Sequence, residues 1–213
     1  MGGRRAEPLA AGRFGSWLTG MQRALRGEAD SDVPCDGCTA CCRSAQFVHI
    51  EPDETDALAH IPAELLFPAP LRPPGHLVMG YDEQGRCPML GEDGCTIYEH
   101  RPRACRMYDC RVFAATGVTV AGDRQAAIRE RVDRWRFELR TGAESARRDA
   151  LRAAAAYLAE HPDVLPEGAP SGPTQLAVLA VEVHEAFLET DPGSGRAVVV
   201  TPAADAVRER LAH

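Results

Sequence analysis

Residues 35–42 read Cys-Asp-Gly-Cys-Thr-Ala-Cys-Cys, and the fold has to be built around them. Cys35, Cys38 and Cys41 stand three residues apart. At that spacing, looped backbone can wrap several thiolates around one metal centre. Cys42 follows directly. Adjacent side chains diverge, so Cys41 and Cys42 are expected to serve different centres or different roles, with Cys41 continuing the ligand run. Cys87, Cys95, Cys105 and Cys110 complete a set of eight, all inside residues 35–110. Scattered core cysteines would not bunch in this way.

Clustered thiols have two ordinary explanations. A disulfide framework needs an oxidising compartment. Residues 1–27 carry Arg4 and Arg5 but no apolar run behind them, so they lack the core of a secretory signal. The expectation is therefore a cytoplasmic protein whose thiols hold metal. Cys87 precedes Pro88, which supplies the distant Cys-Pro of a bacterial ferredoxin run. Eight thiolates exceed the four required by one tetrahedral zinc or one cubane cluster. Either two centres exist or some cysteines are spare, and spacing alone leaves the grouping open.

The rest of the 213-residue chain narrows the function classes by exclusion. Hydrophobic and charged contents of 45% and 26% are globular values. A net charge of −7 gives no general attraction to phosphate backbones or anionic lipid, which argues against nucleic-acid and membrane roles. No stretch approaches the roughly 18 apolar residues of a membrane span. All 24 basic residues are arginine, a bias typical of a GC-rich bacterial genome. Schiff-base lysine chemistry and a phosphate-loop lysine are thereby excluded. A Gly-x-Ser-x-Gly motif, a phosphate loop and a dinucleotide fingerprint are absent as well.

The pattern suggests an α+β protein in three parts. Residues 1–32 read as a loosely ordered lead-in, with one amphipathic piece at Trp17, Leu18, Met21 and Leu25. Residues 33–111 form the cysteine module of short hairpins and loops. Strands are expected at Gln46–Ile50, His76–Tyr81, Arg86–Leu90 and Cys95–Tyr98. A helix should start at Glu51–Glu54 and run towards Leu66, a proline-rich loop should reach Pro74, and a helical turn should carry Cys105 to Cys110. Residues 112–213 are mainly α-helical. Ile128, Val132, Trp135 and Leu139 suggest a helix over 124–140, Leu151, Ala155 and Leu158 a second, and Leu176 to Phe187 a third. Pro162–Pro173 reads as a linker, Ala197–Thr201 as an edge strand, and Pro202–Leu211 as a last helix.

Arg43, Arg101, Arg103, Arg106 and Arg111 follow cysteines closely and are candidates to hydrogen-bond the sulfurs. Arg106 and Tyr108 are singled out as residues backing the ligands. Of His49, His60, His76, His100, His161, His184 and His213, only His100 lies inside the second cysteine group as a candidate ligand. No spacing singles out a catalytic residue.

The cysteine pattern resembles the YkgJ-like cysteine-cluster family, whose signature is CxxCxxCC. Cys35 to Cys42 match that signature. Cys87-Pro-Met-Leu, Cys95-Thr-Ile-Tyr-Glu-His-Arg-Pro-Arg-Ala-Cys105-Arg106 and Cys110 match the remainder in order. The similarity spans roughly residues 33–111. It implies a zinc- or iron-chelating domain, often an iron–sulfur one. The flagellin lysine N-methylase carries a similar cluster, which implies methyl-transfer support in some members; this chain is much shorter than that enzyme.

Residues and resemblance together lead to the expectation of an iron–sulfur cluster, [4Fe–4S], held by the eight cysteines, with zinc as the alternative. A redox or methyl-transfer enzyme would have a pocket beside the cluster. A metal-handling protein would expose its thiols. A structural zinc module would close four-thiolate sites and present an interaction surface to a protein or small-molecule partner.

Overall fold

The computed structural model describes residues 7–31, 33–35, 37–70, 72–166 and 172–212. Residues 1–6 of the lead-in, 167–171 of the linker, and His213 lie outside the described residues. The fold is α+β. In chain order it runs β1 (Leu9–Arg13), α1 (Phe14–Leu25), a 3₁₀ turn at Cys41–Arg43, β2 (Val48–Ile50), α2 (Thr55–His60), β3 (Leu66–Pro68), β4 (Leu77–Met79), β5 (Leu90–Gly91) and β6 (Gly94–Cys95). It continues with α3 (Arg103–Met107), α4 (Arg111–Thr116), α5 (Ala126–Val132), β7 (Trp135–Glu138), α6 (Gly142–Glu160), α7 (Pro173–Val183), β8 (Leu188–Thr190), β9 (Ala197–Val199) and α8 (Ala204–Leu211).

The larger core is helical. α6 stacks Ala150, Leu151, Ala154, Ala155 and Leu158 on one face, against Ala177, Ala180 and Val181 of α7 and Val112, Phe113 and Ala115 of α4. The alanines let the helices approach closely. α6 starts where Thr141 accepts a hydrogen bond from the Glu144 amide at 3.1 Å, and it stops before Pro162, which disfavours helix at His161. Val207 of α8 closes the far end and is fully buried.

The N-terminal segment belongs to this core, contrary to the expectation of a loose lead-in. Phe14, Trp17, Leu18 and Met21 of α1 are all buried in it. Their i, i+3, i+4, i+7 spacing places them on one helix face. β1 anchors the entry, pairing parallel with β7 through Leu9–Trp135 and Arg13–Glu138. A buried ion pair ties the same segment to the cysteine region. The Asp109 carboxylate takes hydrogen bonds from Arg111 and, at 2.8 Å, from the Trp17 indole, and Arg111 also donates to the Ala11 carbonyl.

β7 also corrects the helix expected over 124–140. Helix α5 ends at Val132, and Trp-Arg-Phe-Glu then runs extended. Its strict apolar–polar alternation is the strand period, and the pairing partner supplied by β1 decides the matter.

The cysteine module is thinner. β2, β4 and β3 form a three-stranded antiparallel sheet in that order. Val48, Ile50, Ile61, Met79 and Ile97 are its buried hydrophobic cluster. The helix expected from Glu51 to Leu66 is confined to Thr55–His60, and after Pro62 the chain turns into β3 so that Leu66 pairs with Met79. Arg86–Leu90 is not a strand returning on β4. Instead the Cys87 amide donates to the Cys42 carbonyl at 2.7 Å and the Ala45 amide to the Gly85 carbonyl at 2.8 Å. These bonds lay the second cysteine segment against the first. β5 and β6 form a two-residue hairpin, and Cys95–Tyr98 is strand only at Cys95. At the C-terminal end, β9 pairs with β8, so Ala197–Val199 has a partner, and α8 begins at Ala204, two residues after Pro202.

Candidate metal centre

All eight cysteines line one cavity of about 330 Å³. None is disulfide-bonded, and each is partly buried. The cavity sits at the seam between the two hydrophobic clusters. Cys41 and Cys110 pack against the helical core, while Cys87, Cys95 and Cys105 pack against the sheet cluster. Met79, Met89 and Ile97 close it from the sheet side, Tyr108 and Ile128 from the helical side. The two sequence groups, 35–42 and 87–110, thus form one site.

Local backbone explains the presentation of the first group. The Cys38 amide donates to the Cys35 carbonyl at 2.6 Å, which closes the first loop, and Gly37 holds a φ of +73°, a conformation glycine adopts without steric cost. Cys41 and Cys42 sit in the 3₁₀ turn, on which α5 packs. Their sulfurs are 4.0 Å apart and face the same cavity, so the divergence expected of adjacent side chains does not occur. Cys105 lies within α3, and Cys110 is the residue immediately before α4.

Burial dominates the electrostatics of the site. Burial pushes the thiols of Cys35 and Cys87 up and those of Cys105 and Cys110 up to about 12. Between the adjacent pair, the hydrogen bond from Cys42 lowers the pKa of the Cys41 thiol, and the same contact raises that of Cys42. Thiolates in such surroundings need an opposing charge. Arg101 is the arginine on the cavity wall. It lies over the Tyr98 ring at 3.5 Å and donates to the Tyr98 carbonyl at 2.6 Å, and its charge favours the thiolates of Cys35, Cys41 and Cys105.

The other four arginines are held elsewhere. Arg43 donates to Thr39, Arg103 pairs with Glu51 and Asp53, and Arg111 pairs with Asp109. Arg106, expected behind the ligands, is engaged by Asp30 at 3.3 Å and by the Arg101 carbonyl, outside the cavity wall. Tyr108 does line the cavity, and burial raises its hydroxyl pKa. His100 stands apart as well, stacked on His60 and 3.0 Å from Asp56. His49 and His76 hydrogen-bond each other at 3.0 Å, and His184 is buried in the helical core.

One donor to a sulfur escaped the sequence reading. Trp135 directs its indole N–H at Cys110 Sγ, 3.3 Å away. The stripe Ile128, Val132, Trp135 and Leu139 places Trp135 in a helix core on the sequence alone. The alternation in residues 135–138 was the available signal for a strand.

The donor set fits a thiolate-bound metal, and comparison with protein families agrees. Residues 34–128 match the model of the CxxCxxCC family, described as "Putative zinc- or iron-chelating domain". Over that span the chain is similar to this zinc- or iron-chelating domain. The matched span takes in α4 and the start of α5, beyond the last cysteine, consistent with Ile128 on the cavity wall. Neither curated proteins nor solved structures gave a match. No helix among the described residues is long and apolar enough to cross a membrane.

Proposed function

We propose that the CxxCxxCC domain holds an iron–sulfur cluster of the [4Fe–4S] type, with ligands drawn from Cys35, Cys38, Cys41, Cys42, Cys87, Cys95, Cys105 and Cys110. The observation that supports it is the convergence of all eight thiols on one cavity of about 330 Å³. Four thiolates closing on a single zinc need no such space, because their sulfurs meet at about 3.8 Å around an ion bound at about 2.3 Å. A cluster interposes iron and sulfide between the sulfurs. When bound, it would supply one-electron transfer or an iron position open to a substrate.

The protein's own residues have definable parts in that reading. Met79, Met89, Ile97 and Ile128 exclude water. Arg101 offsets the negative charge of the thiolates, and Trp135 donates to the sulfur of Cys110. The domain belongs to a cytoplasmic protein in this reading, where thiols stay reduced. Support for redox or methyl-transfer chemistry, on a protein or small-molecule partner, is the activity most in keeping with it.

Zinc is the second reading, favoured by one distance. The Cys41 and Cys42 sulfurs are 4.0 Å apart, close to the tetrahedral thiolate spacing. Anaerobic purification followed by iron, zinc and acid-labile sulfide analysis separates the two. About four iron and four sulfides per chain, with brown colour, are expected. Colourless protein with zinc and no sulfide overturns the cluster reading in favour of a structural or metal-handling module.

A further inference from the structure

A second cavity, of about 470 Å³, lies beside the cysteine site and is lined by four arginines. It opens between the end of α4, helix α5, strand β7 and helix α6. Arg129, Arg136, Arg148 and Arg152 face it, and Asp133 is the one acid on its described wall. Such a concentration of positive charge is unexpected in a chain of net charge −7.

Three of these cations have no carboxylate partner among the described residues. Arg148 pairs with Asp149 at 2.8 Å. The other three hold only backbone oxygens: Arg129 donates to the Gly122 carbonyl at 3.2 Å, Arg152 to the Ala115 carbonyl at 3.2 Å, and Arg136 to the Asp133 and Trp135 carbonyls at 2.8 Å. These bonds fix the guanidinium groups in place without neutralising them. They also leave donors uncommitted on each, since a guanidinium carries five N–H groups. The rest of the wall is apolar, with Phe113, Val118, Val132 and Leu139 among its members.

We propose that this cavity binds a small organic anion, a carboxylate or phosphate monoester attached to an apolar body. Anchored but unneutralised guanidinium groups match the fork geometry of both anions. The apolar wall takes the body of the ligand. Trp135 connects this site to the cysteine cavity, because it lines the former and donates to Cys110 on the wall of the latter. A bound anion and the thiol cluster would thus share one indole ring. The inference does not depend on which metal the cysteines hold.

The test is calorimetric titration of the full chain, as isolated with its metal, using benzoate, phenyl phosphate and the uncharged benzyl alcohol. Saturable binding of at least one anion at one site per chain is expected, weakening as potassium chloride is added. Benzyl alcohol should bind at least about tenfold more weakly, because the charged head carries the affinity. The comparison of benzoate with phenyl phosphate assigns the anion as carboxylate or phosphate. R129Q combined with R152Q should lose about tenfold or more in affinity. R136Q, at an exposed position, should weaken binding without a folding defect. Binding should alter the tryptophan fluorescence of the wild type and leave that of W135F unchanged. Equal affinity for benzyl alcohol, unchanged binding by the arginine variants, or no binding of either anion at millimolar concentration overturns the proposal.

Discussion

Trp135 and Cys110, 25 positions apart, are joined by an indole N–H that donates to the cysteine sulfur at 3.3 Å. Strand β7 makes this contact, and β7 is held in place by β1 from the N-terminal segment. The N-terminal segment, the cysteine cluster and the helical core thus meet at one sulfur. A donor to a thiolate spreads its charge and fixes its orientation. W135F should keep the fold and metal stoichiometry, because phenylalanine fills most of the same volume. Metal affinity should fall roughly 10- to 100-fold, the usual cost of losing a ligand's hydrogen-bonding partner. Competition with a chromophoric chelator measures it. An affinity equal to the wild type's would mean that the contact carries no weight in the site.

Gly85 makes a different connection. Its φ is +77°, and a Cβ there would meet the Ala45 Cβ at 3.3 Å. Ala45 itself has a φ of +50° and donates its amide to the Gly85 carbonyl. Two neighbouring turns in this conformation set the Cys42–Cys87 register. G85V should add about 1–2 kcal/mol of backbone strain and crowd Ala45 as well. Metal per chain should drop while the helical circular dichroism signal persists. Full metal loading in G85V would show that the register tolerates displacement.

The site was legible in the sequence to a greater extent than the fold around it. Thiol chemistry is confined to one residue type, so the clustering of Cys35 to Cys110 marked the site without any knowledge of distance. The helices α6 and α7 were equally plain, because Leu151, Ala155 and Leu158 or Leu176 and Val183 repeat at the helical period. What failed depended on partners remote in sequence. Trp135–Glu138 is a strand because β1 lies alongside, and α1 is buried because α6 and α7 offer it a surface. Arg106 is drawn from the cavity by Asp30, 76 positions away. Trp135 was visible as a large apolar residue, but only the fold aims its N–H.

Metal removal should separate the two clusters. The sheet side has a small buried cluster, Val48, Ile50, Ile61, Met79 and Ile97, while Phe47 and Tyr98 are exposed. Such a core is too small to be stable alone, and structural metal can contribute on the order of 10 kcal/mol of folding free energy. Chelation, or C38S, should expose amides across β2–β4 to hydrogen exchange. Protection in α6 and α7 should persist, because the two helices pack on each other through alanine, leucine and valine. Uniform protection before and after chelation would contradict this division.

His184 gives the helical core a pH dependence of known sign. It is 2% exposed and its Nδ1–H donates to the Val181 carbonyl at 2.7 Å. Burial disfavours the imidazolium and lowers its pKa from the ordinary 6.5. Above pH 6.5 the ring is neutral in both folded and unfolded chains and contributes no pH dependence. Below that value the unfolded chain binds a proton that the folded chain does not. Stability therefore falls as the pH drops from 6.5 through the lower folded value, by at most about 1.4 kcal/mol per pH unit for one proton. H184L removes this term and should flatten the acid limb of a urea-midpoint profile read by helical circular dichroism. Its midpoint at neutral pH should drop, since the Val181 carbonyl loses its donor. The comparison with wild type at each pH cancels the acid release of metal, which both chains share. Parallel acid limbs in the two proteins would place the acid sensitivity of the helical core elsewhere.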